Sequence, residues 1–135
     1  MVDTMTKAQY FPYLDLLGIT LESVGGSKSL CSVVVEERHH NPHHVSHGGL
    51  IFSLADTGMG SALYPSLGKG EICATIEIKI SYFKAVAAGK LRCETEVVNR
   101  GKRVATMESS IYLEDSLVAR ATGSYSIFTP KRKVS

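Results

Sequence analysis

Residues 46–64 read Ser-His-Gly-Gly-Leu-Ile-Phe-Ser-Leu-Ala-Asp-Thr-Gly-Met-Gly-Ser-Ala-Leu-Tyr, and this stretch decides the fold. A helix that lies on a protein surface has one apolar stripe and a charged opposite face. Here apolar residues surround the predicted helix axis, and Lys, Arg and Glu do not occur. The sequence therefore predicts a helix that begins at Ser46 or His47, ends near Tyr64 and is enclosed by other structure.

Six segments with strand character accompany this helix. In residues 71–83 apolar and polar residues alternate, which is typical of a strand with one buried face. The residues predicted to share one face of this strand are Ile72, Ala74, Ile76, Ile78, Ile80 and Tyr82. The other predicted strands are residues 19–24, 28–37, 90–98, 103–113 and 117–128, and a short helix over residues 7–17, begun or broken near Pro12 and ended by Gly18, precedes them.

The order of these elements predicts the architecture. A single antiparallel sheet can bury an apolar helix only by curling around it. We therefore expect an α+β hotdog fold, in which an antiparallel sheet wraps around one long central helix, with a short N-terminal helix in front. The 135 residues suit a single domain, with a core over about residues 15–128 and a basic tail over residues 129–135.

Composition narrows the classes of function. Fifteen Lys and Arg residues nearly balance thirteen Asp and Glu residues, which gives no reason to expect a nucleic-acid or membrane partner. The cysteines Cys31, Cys73 and Cys93 are odd in number and widely spaced, so we expect free thiols, which fit the cytoplasm. The N-terminus lacks the apolar run of a signal peptide, and no stretch approaches the ~20 apolar residues of a membrane span.

Asp56 is the residue that most strongly indicates chemistry. An ionised carboxylate within an enclosed apolar helix is unfavourable unless it is paired or used. Such a group is therefore a candidate for a functional role. The alternative is a structural Asp that is hydrogen-bonded to the backbone or to Thr57.

The segment His47-Gly48-Gly49 forms the predicted start of the helix. Free N–H groups point out of a helix N-terminus, and the helix dipole there favours negative charge. Glycine also lets a ligand approach the backbone closely. These properties suit an oxyanion hole for a carbonyl under attack, although an ordinary glycine turn into a helix is the alternative.

All five histidines lie between His39 and His47, so a metal site has to be considered. The pairs His39-His40 and His43-His44 do not match a zinc motif, because zinc recruits ligands from separated elements at defined spacing. We expect no metal and no cofactor, and we interpret the histidines as a polar loop at the rim of a pocket plus one helix cap.

Two runs of sequence resemble a known family. Asn41-Pro42, His47-Gly48-Gly49 and the following Leu54-Ala55-Asp56 are similar to the signature of hotdog-fold acyl-CoA thioesterases of the phenylacetate-degradation type. Residues 77–83, Glu-Ile-Lys-Ile-Ser-Tyr-Phe, resemble the long central strand of that family. The resemblance spans roughly residues 15–128.

The resemblance implies a role for several residues. Asp56 matches the carboxylate that acts as nucleophile or as general base for water, and Gly48 matches the backbone donor to the thioester oxygen. Asn41 matches a polar residue that orients the thioester or the water, and Thr75 falls within about one residue of a Ser or Thr that holds the water. A sister group of thioesterases has its carboxylate in the loop before the helix, where this chain has Asn41 instead.

We therefore expect hydrolysis of an acyl-CoA thioester to free acid and CoA. A hotdog dehydratase or hydratase is an alternative in which His47 would serve as the catalytic histidine. A non-catalytic acyl-CoA binding protein is another, although a binder gains nothing from an enclosed anion near the acyl group. The sequence leaves open the acyl group and the choice between nucleophile and general base.

The remaining expectations concern partners and substrate contacts. Gly48 and Asp56 are eight residues apart, which is roughly 12 Å along a helix, so one chain can hardly offer both to one carbonyl. We expect a homodimer with active sites between the chains, and a homotetramer as a dimer of dimers remains open. The candidates for substrate binding are His47 and Gly49, together with basic residues that could bind the CoA phosphates: Lys84, Lys90, Arg100, Lys102 and Arg103. The alternative is that these basic residues are ordinary solvated surface residues.

Overall fold

The computed structural model, which describes residues 11–131, has its helices and strands in the order that the sequence predicts. They are α1 (Pro12–Leu17), β1 (Thr20–Gly25), β2 (Lys28–Val35), α2 (Gly48–Leu63), β3 (Ile72–Tyr82), β4 (Gly89–Arg100), β5 (Val104–Leu113) and β6 (Ser116–Phe128). Pro12 occupies the first turn of α1 and Gly18 ends the helix with a left-handed backbone, as predicted. The part of the predicted first helix before residue 11 lies outside the described residues.

The six strands form one antiparallel sheet in the order β1-β2-β4-β5-β6-β3. This sheet wraps around α2, and the two together form the core. Fully buried side chains of α2 pack against fully buried side chains of the sheet, and the largest of these are Leu54, Met59, Leu63, Leu91, Met107 and Ile111. The predicted hotdog architecture, a sheet wrapped on a central helix, is confirmed.

One stripe of α2 is less covered than the sequence predicts. Gly49 is exposed, the Phe52 side chain is 36% exposed, and Ser53, Asp56 and Gly60 are only partly buried. The prediction of an enclosed helix therefore holds for the sides that face the sheet and not for this stripe. The strands cover the other sides of α2, whereas the apolar side chain of Phe52 is covered only in part.

The predicted face of β3 is wrong in its first half. A bulge between Thr75 and Glu77 inserts one residue relative to β6, and the alternation of faces is reversed across it. Ile78 is partly buried against the core, whereas Ile72 and Ile76 are 44% and 55% exposed on the outer surface. Ile72, Ala74 and Ile76 therefore do not share a face with Ile78, Ile80 and Tyr82. As a consequence, Thr75 points toward α2.

Two strand ends differ from the prediction by two residues, and the other strand boundaries agree with it to within one residue. β2 ends at Val35, before a 3-10 turn over Glu37–His39. β4 continues to Arg100, because a bulge between Val97 and Asn99 carries its pairing with β5 past the predicted end.

Gly58 marks the closest approach of α2 to the sheet. Its carbonyl oxygen accepts a hydrogen bond from Ser29 Oγ at 2.7 Å, and a Cβ atom at this position would overlap with Thr95 Oγ1. Two residues on, a Cβ atom at Gly60 would lie 3.7 Å from the nearest atom of Tyr125, which is an ordinary contact. The two glycines of one helix therefore differ in their tolerance of a side chain.

We expect Gly58→Ala to lower the free energy of unfolding by about 1–3 kcal/mol, because overpacking outweighs the better helix propensity of Ala. Gly60→Ala should leave it unchanged or raise it by up to about 1 kcal/mol. Urea unfolding of both variants measures the difference, and Thr95→Ala added to Gly58→Ala should recover part of the loss. Equal stability of the two single variants would contradict this account of Gly58.

Candidate active site

The Asp56 carboxylate is held by two donors from the sheet. Thr75 Oγ1 donates to Asp56 Oδ1 at 2.9 Å, and the Tyr125 hydroxyl donates to the same oxygen and lies 2.8 Å from the Asp56 main-chain oxygen. The partners of the carboxylate are thus side chains of the sheet, whereas the structural alternative expects Thr57 or the backbone. Within residues 11–131 no donor contacts Oδ2, so this oxygen is the one available to a ligand. We call Asp56, Thr75 and Tyr125 the carboxylate cluster.

Tyr125 was not predicted as a member of this site. It lies on the inward face of β6, where its neighbours Ala121 and Ile127 are apolar and buried. Burial first, and then the neighbouring Asp56 carboxylate, raise the pKa of Tyr125 above its usual value. The hydroxyl therefore remains protonated and can donate. A phenolic group on an otherwise apolar inward face was the signal in the sequence, because a buried hydroxyl needs a partner.

The N-terminus of α2 has one donor that is not used. His47 caps the helix, with its Nδ1 accepting a hydrogen bond from the Gly49 N–H at 2.7 Å. The Gly48 N–H has no acceptor among the described residues, while the Gly48 carbonyl accepts a hydrogen bond from the Tyr82 hydroxyl at 2.8 Å. Of the segment His47–Gly49, the Gly48 N–H is thus the group open to a ligand. The Gly49 N–H is occupied by the cap.

Asn41 lies in the loop that leads to α2. Its Oδ1 accepts a hydrogen bond from the His43 N–H at 2.8 Å, and its main-chain N–H donates to the Val45 carbonyl at 2.8 Å. The side-chain oxygen therefore shapes the turn, and only the amide NH₂ is left for a ligand. The structure groups Asn41 with the helix start, separate from the carboxylate cluster, which lies roughly 12 Å further along α2.

Three of the five histidines have structural partners. His39 is buried and bonds Glu36 N–H and the Leu17 carbonyl, His40 bonds the Ala87 carbonyl, and His47 caps α2. Among residues 11–131 no group of three His, Cys, Asp or Glu side chains lies close enough together to hold a metal ion.

The five candidate phosphate ligands fall into two groups at opposite ends of β4. Lys84 and Lys90 lie at one end, where Lys90 pairs with Glu22 at 3.2 Å and Lys84 contacts the Ser116 hydroxyl. Arg100, Lys102 and Arg103 lie at the other end. Arg100 is engaged with Glu71 at 3.0 Å and with the Ser66 carbonyl at 3.0 Å. Lys102 and Arg103 are exposed, with no ion pair to another described residue.

Asp56 faces a pocket of about 380 Å³ between α1, α2 and β3. The pocket reaches Tyr13 and Leu14 on α1 and Thr75 and Cys73 on β3, so the short first helix forms one of its walls.

The other two thiols, Cys31 and Cys93, are free and buried opposite each other in β2 and β4. No helix within residues 11–131 has the length and apolar character needed to cross a membrane.

A family model and several proteins match this chain. The model of the thioesterase superfamily matches residues 43–119, which include α2 and β3. An esterase candidate of Archaeoglobus fulgidus is 43% identical over 75 residues, which are 55% of this chain and 47% of that protein. An esterase candidate of Pseudomonas aeruginosa is 30% identical over 114 residues, 83% of this chain and 85% of that protein.

Two further similarities cover most of the chain. The proofreading thioesterase EntH of Cronobacter sakazakii is 30% identical over 98 residues, 73% of this chain and 72% of EntH. Among solved structures, a conserved protein of Pseudomonas aeruginosa has a TM-score of 0.86 and 32% sequence identity, with 90% of this chain and 98% of that chain covered.

Proposed function

The chain belongs to the thioesterase superfamily, and from this membership we propose that it hydrolyses the thioester bond of an acyl-CoA to give the free acid and CoA. The observation that carries the proposal is the Asp56 carboxylate in the wall of the pocket, whose Oδ1 is held by Thr75 and Tyr125 while Oδ2 has no donor among the described residues. A carboxylate fixed in this way can accept a proton or attack a carbonyl carbon without any cofactor.

Two routes use the same groups. In the first, Asp56 Oδ2 takes a proton from water, the water oxygen attacks the thioester carbon, and the C–S bond breaks as the proton passes to the CoA sulfur. In the second, Oδ2 itself attacks and CoA leaves as the thiolate, which takes a proton from solvent, and water then hydrolyses the resulting anhydride to the free acid and the Asp56 carboxylate. In both routes the carbonyl oxygen gains negative charge, which the Gly48 N–H stabilises.

We place each active site between two chains. Within one chain the Gly48 N–H and Asp56 Oδ2 are too far apart for one carbonyl, which must lie about 3 Å from both. β3 is an edge strand with an exposed Ile76, and the stripe of α2 with Phe52 lacks a complete cover. A two-fold homodimer that covers these surfaces would bring the Gly48 end of one chain to Asp56 of its partner. A homotetramer would be a dimer of such dimers.

The direct test measures CoA thiol release from a panel of acyl-CoA thioesters. Hydrolysis supports the proposal, while binding without release would favour a non-catalytic acyl-CoA binder. Reversible addition of water to an enoyl thioester would favour a hydratase, although His47 Nδ1 is already engaged as a helix cap. Single-turnover hydrolysis in ¹⁸O-water separates the two routes, because label enters the Asp56 carboxylate only if Oδ2 attacks.

Tyr125→Phe should lower kcat about 10–100-fold and change KM little. The variant removes a hydrogen bond to an ionised carboxylate, which is worth about 1.5–3 kcal/mol, and leaves the ring in place. The matched control is Tyr112→Phe, since Tyr112 stacks on Arg92 and lies on β5 away from the carboxylate cluster. Steady-state kinetics of both variants, with thermal unfolding to check folding, test this role. Equal kcat values for the two variants would remove Tyr125 from the site.

Among the basic residues, Lys102 and Arg103 are the preferred ligands for the CoA phosphates, because they are exposed and have no described ion pair. We expect the double variant Lys102→Gln/Arg103→Gln to raise KM about tenfold at low salt, with a smaller effect at high salt and little change in kcat. Lys84→Gln tests the opposite end of β4, and Lys90→Gln is the control because Lys90 is paired with Glu22. A KM unchanged in the double variant would exclude this pair.

A further inference from the structure

The pocket beside Asp56 is lined mainly by apolar residues, a property that hydrolysis of a thioester does not itself require. Its walls are mainly apolar and include Phe11, Leu14 and Leu21 along with Ala74. Among the described residues that line it, Asp56 is the one that carries a formal charge at neutral pH, and no Lys, Arg or His contributes. Burial, followed by the Asp56 charge, raises the pKa of Cys73, so this thiol is neutral as well.

An acyl group with a carboxylate or an ammonium at its end would fit this pocket poorly. A terminal carboxylate would find no cation to pair with among the described residues of this apolar space and would approach the Asp56 carboxylate. A terminal ammonium would also lose its hydration, and the Asp56 Oδ2 that could pair with it is the atom needed for the reaction. An uncharged aliphatic or aromatic acyl group has no charge to desolvate or to be repelled, and its burial in the pocket is favourable.

The helix α1 forms its wall of the pocket from residues that are not buried, and hydrogen bonds hold it in place. None of the residues of α1 is buried, although Leu14 and Leu17 are partly covered by the core. Its C-terminal end is fixed, since the Leu16 carbonyl accepts a hydrogen bond from Arg38 at 2.7 Å and the Leu17 carbonyl lies 2.7 Å from His39 Nε2. Toward its start, the Tyr13 hydroxyl lies 3.0 Å from Ser53 Oγ on α2.

On α2, Gly60 lines the pocket together with Asp56, Thr57 and Ser61. A Cβ atom at Gly60 would meet only the Tyr125 ring, at 3.7 Å and 3.8 Å, so a methyl group fits there without displacing the backbone. Gly60 and Tyr125 both line the pocket, so this methyl group would lie in the pocket wall. Leu14 on α1 and Gly60 on α2 therefore limit the size of the group that the pocket accepts.

We propose that α1 is the wall of the acyl pocket, and that Leu14 and Gly60 determine acyl specificity in favour of uncharged apolar or aromatic acyl groups. This inference rests on the proposed thioesterase function and adds the substrate class and the residues that select it. The short N-terminal helix thus serves substrate choice, while the carboxylate cluster serves the chemistry.

The experiment compares kcat/KM of the full-length protein for butyryl-, hexanoyl-, octanoyl-, phenylacetyl- and succinyl-CoA. Wild-type protein should hydrolyse succinyl-CoA at least about tenfold less efficiently than butyryl-CoA, which has the same number of acyl carbons. Gly60→Ala should lower the octanoyl-to-butyryl ratio by about tenfold or more. Leu14→Ala should raise that ratio about fourfold for each methylene group that the enlarged pocket buries.

Leu16→Ala is the matched control on α1, because Leu16 is 66% exposed and does not line the pocket. Its acyl profile should equal that of the wild type, and thermal unfolding of every variant separates lost folding from changed selectivity. The pocket assignment would be overturned if Leu14→Ala and Gly60→Ala left the relative kcat/KM values for the acyl-CoA panel unchanged. A wild-type preference for succinyl-CoA would overturn it as well. Either result would leave the thioesterase proposal intact. Failure of the wild type to hydrolyse any thioester would refute the proposed function, and the pocket assignment with it.

Discussion

Asp56→Asn is expected to lower kcat by at least about 10²–10⁴-fold, the usual contribution of a general base, and a nucleophilic role would give no smaller loss. The amide has the shape of the carboxylate and keeps an oxygen to which Thr75 Oγ1 and the Tyr125 hydroxyl can still donate. The geometry of the carboxylate cluster should therefore survive while its basicity and nucleophilicity are lost. Steady-state and single-turnover hydrolysis of an acyl-CoA measure the effect.

The control for this variant is Asp115→Asn, since Asp115 lies in the turn between β5 and β6 and is exposed. Substrate affinity of Asp56→Asn, measured by equilibrium binding of an acyl-CoA, should stay within a few-fold of the wild type, because uniform binding does not depend on the reacting oxygen. Retention of more than about a tenth of wild-type kcat would make Asp56 a structural residue, with its hydrogen bonds serving to fix α2 on the sheet.

The sequence predicted the fold well because its signals were local and strong. A helix without Lys, Arg or Glu between two sets of alternating segments permits few arrangements, and the wrapped sheet is the one observed. The bulge in β3 escaped prediction because the apolar alternation continues through Ile76 and gives no sign of it. Without pairing to β6, nothing in the strand itself marks the extra residue.

The candidate site was predictable only in part, for a related reason. Asp56 and Gly48 lie on one helix, so their spacing could be read directly along the chain. Thr75 and Tyr125 reach Asp56 only through strand pairing, and the bulge decides that Thr75 points inward. Long-range register is the information that a single sequence lacks, which is why Tyr125 is absent from the residues that the sequence predicts for the site.

Mixing of two inactive variants should restore activity if the active site is shared between chains. The first variant is Gly48→Pro, which deletes the N–H donor at a position of the helix where proline is tolerated. The second is Asp56→Asn. Gly48→Ala is the control for the first, since a Cβ atom at this position meets the Tyr82 ring at 3.2 Å in both variants, while Ala keeps the N–H. Activity in Gly48→Ala and loss in Gly48→Pro would identify the donor as the cause.

In a mixed two-fold dimer, one composite site carries both defects and the other carries neither. Equal mixing with random reassortment makes half of the dimers mixed, so roughly a quarter of wild-type sites should return. Mass spectrometry of the mixture establishes that mixed dimers have formed, and thiol release then counts the restored sites. If each site belonged to one chain, every site would retain one defect and mixing would restore nothing. Continued inactivity in a sample that contains mixed dimers would thus refute the shared site and would require Gly48 and Asp56 of the same chain to reach one thioester.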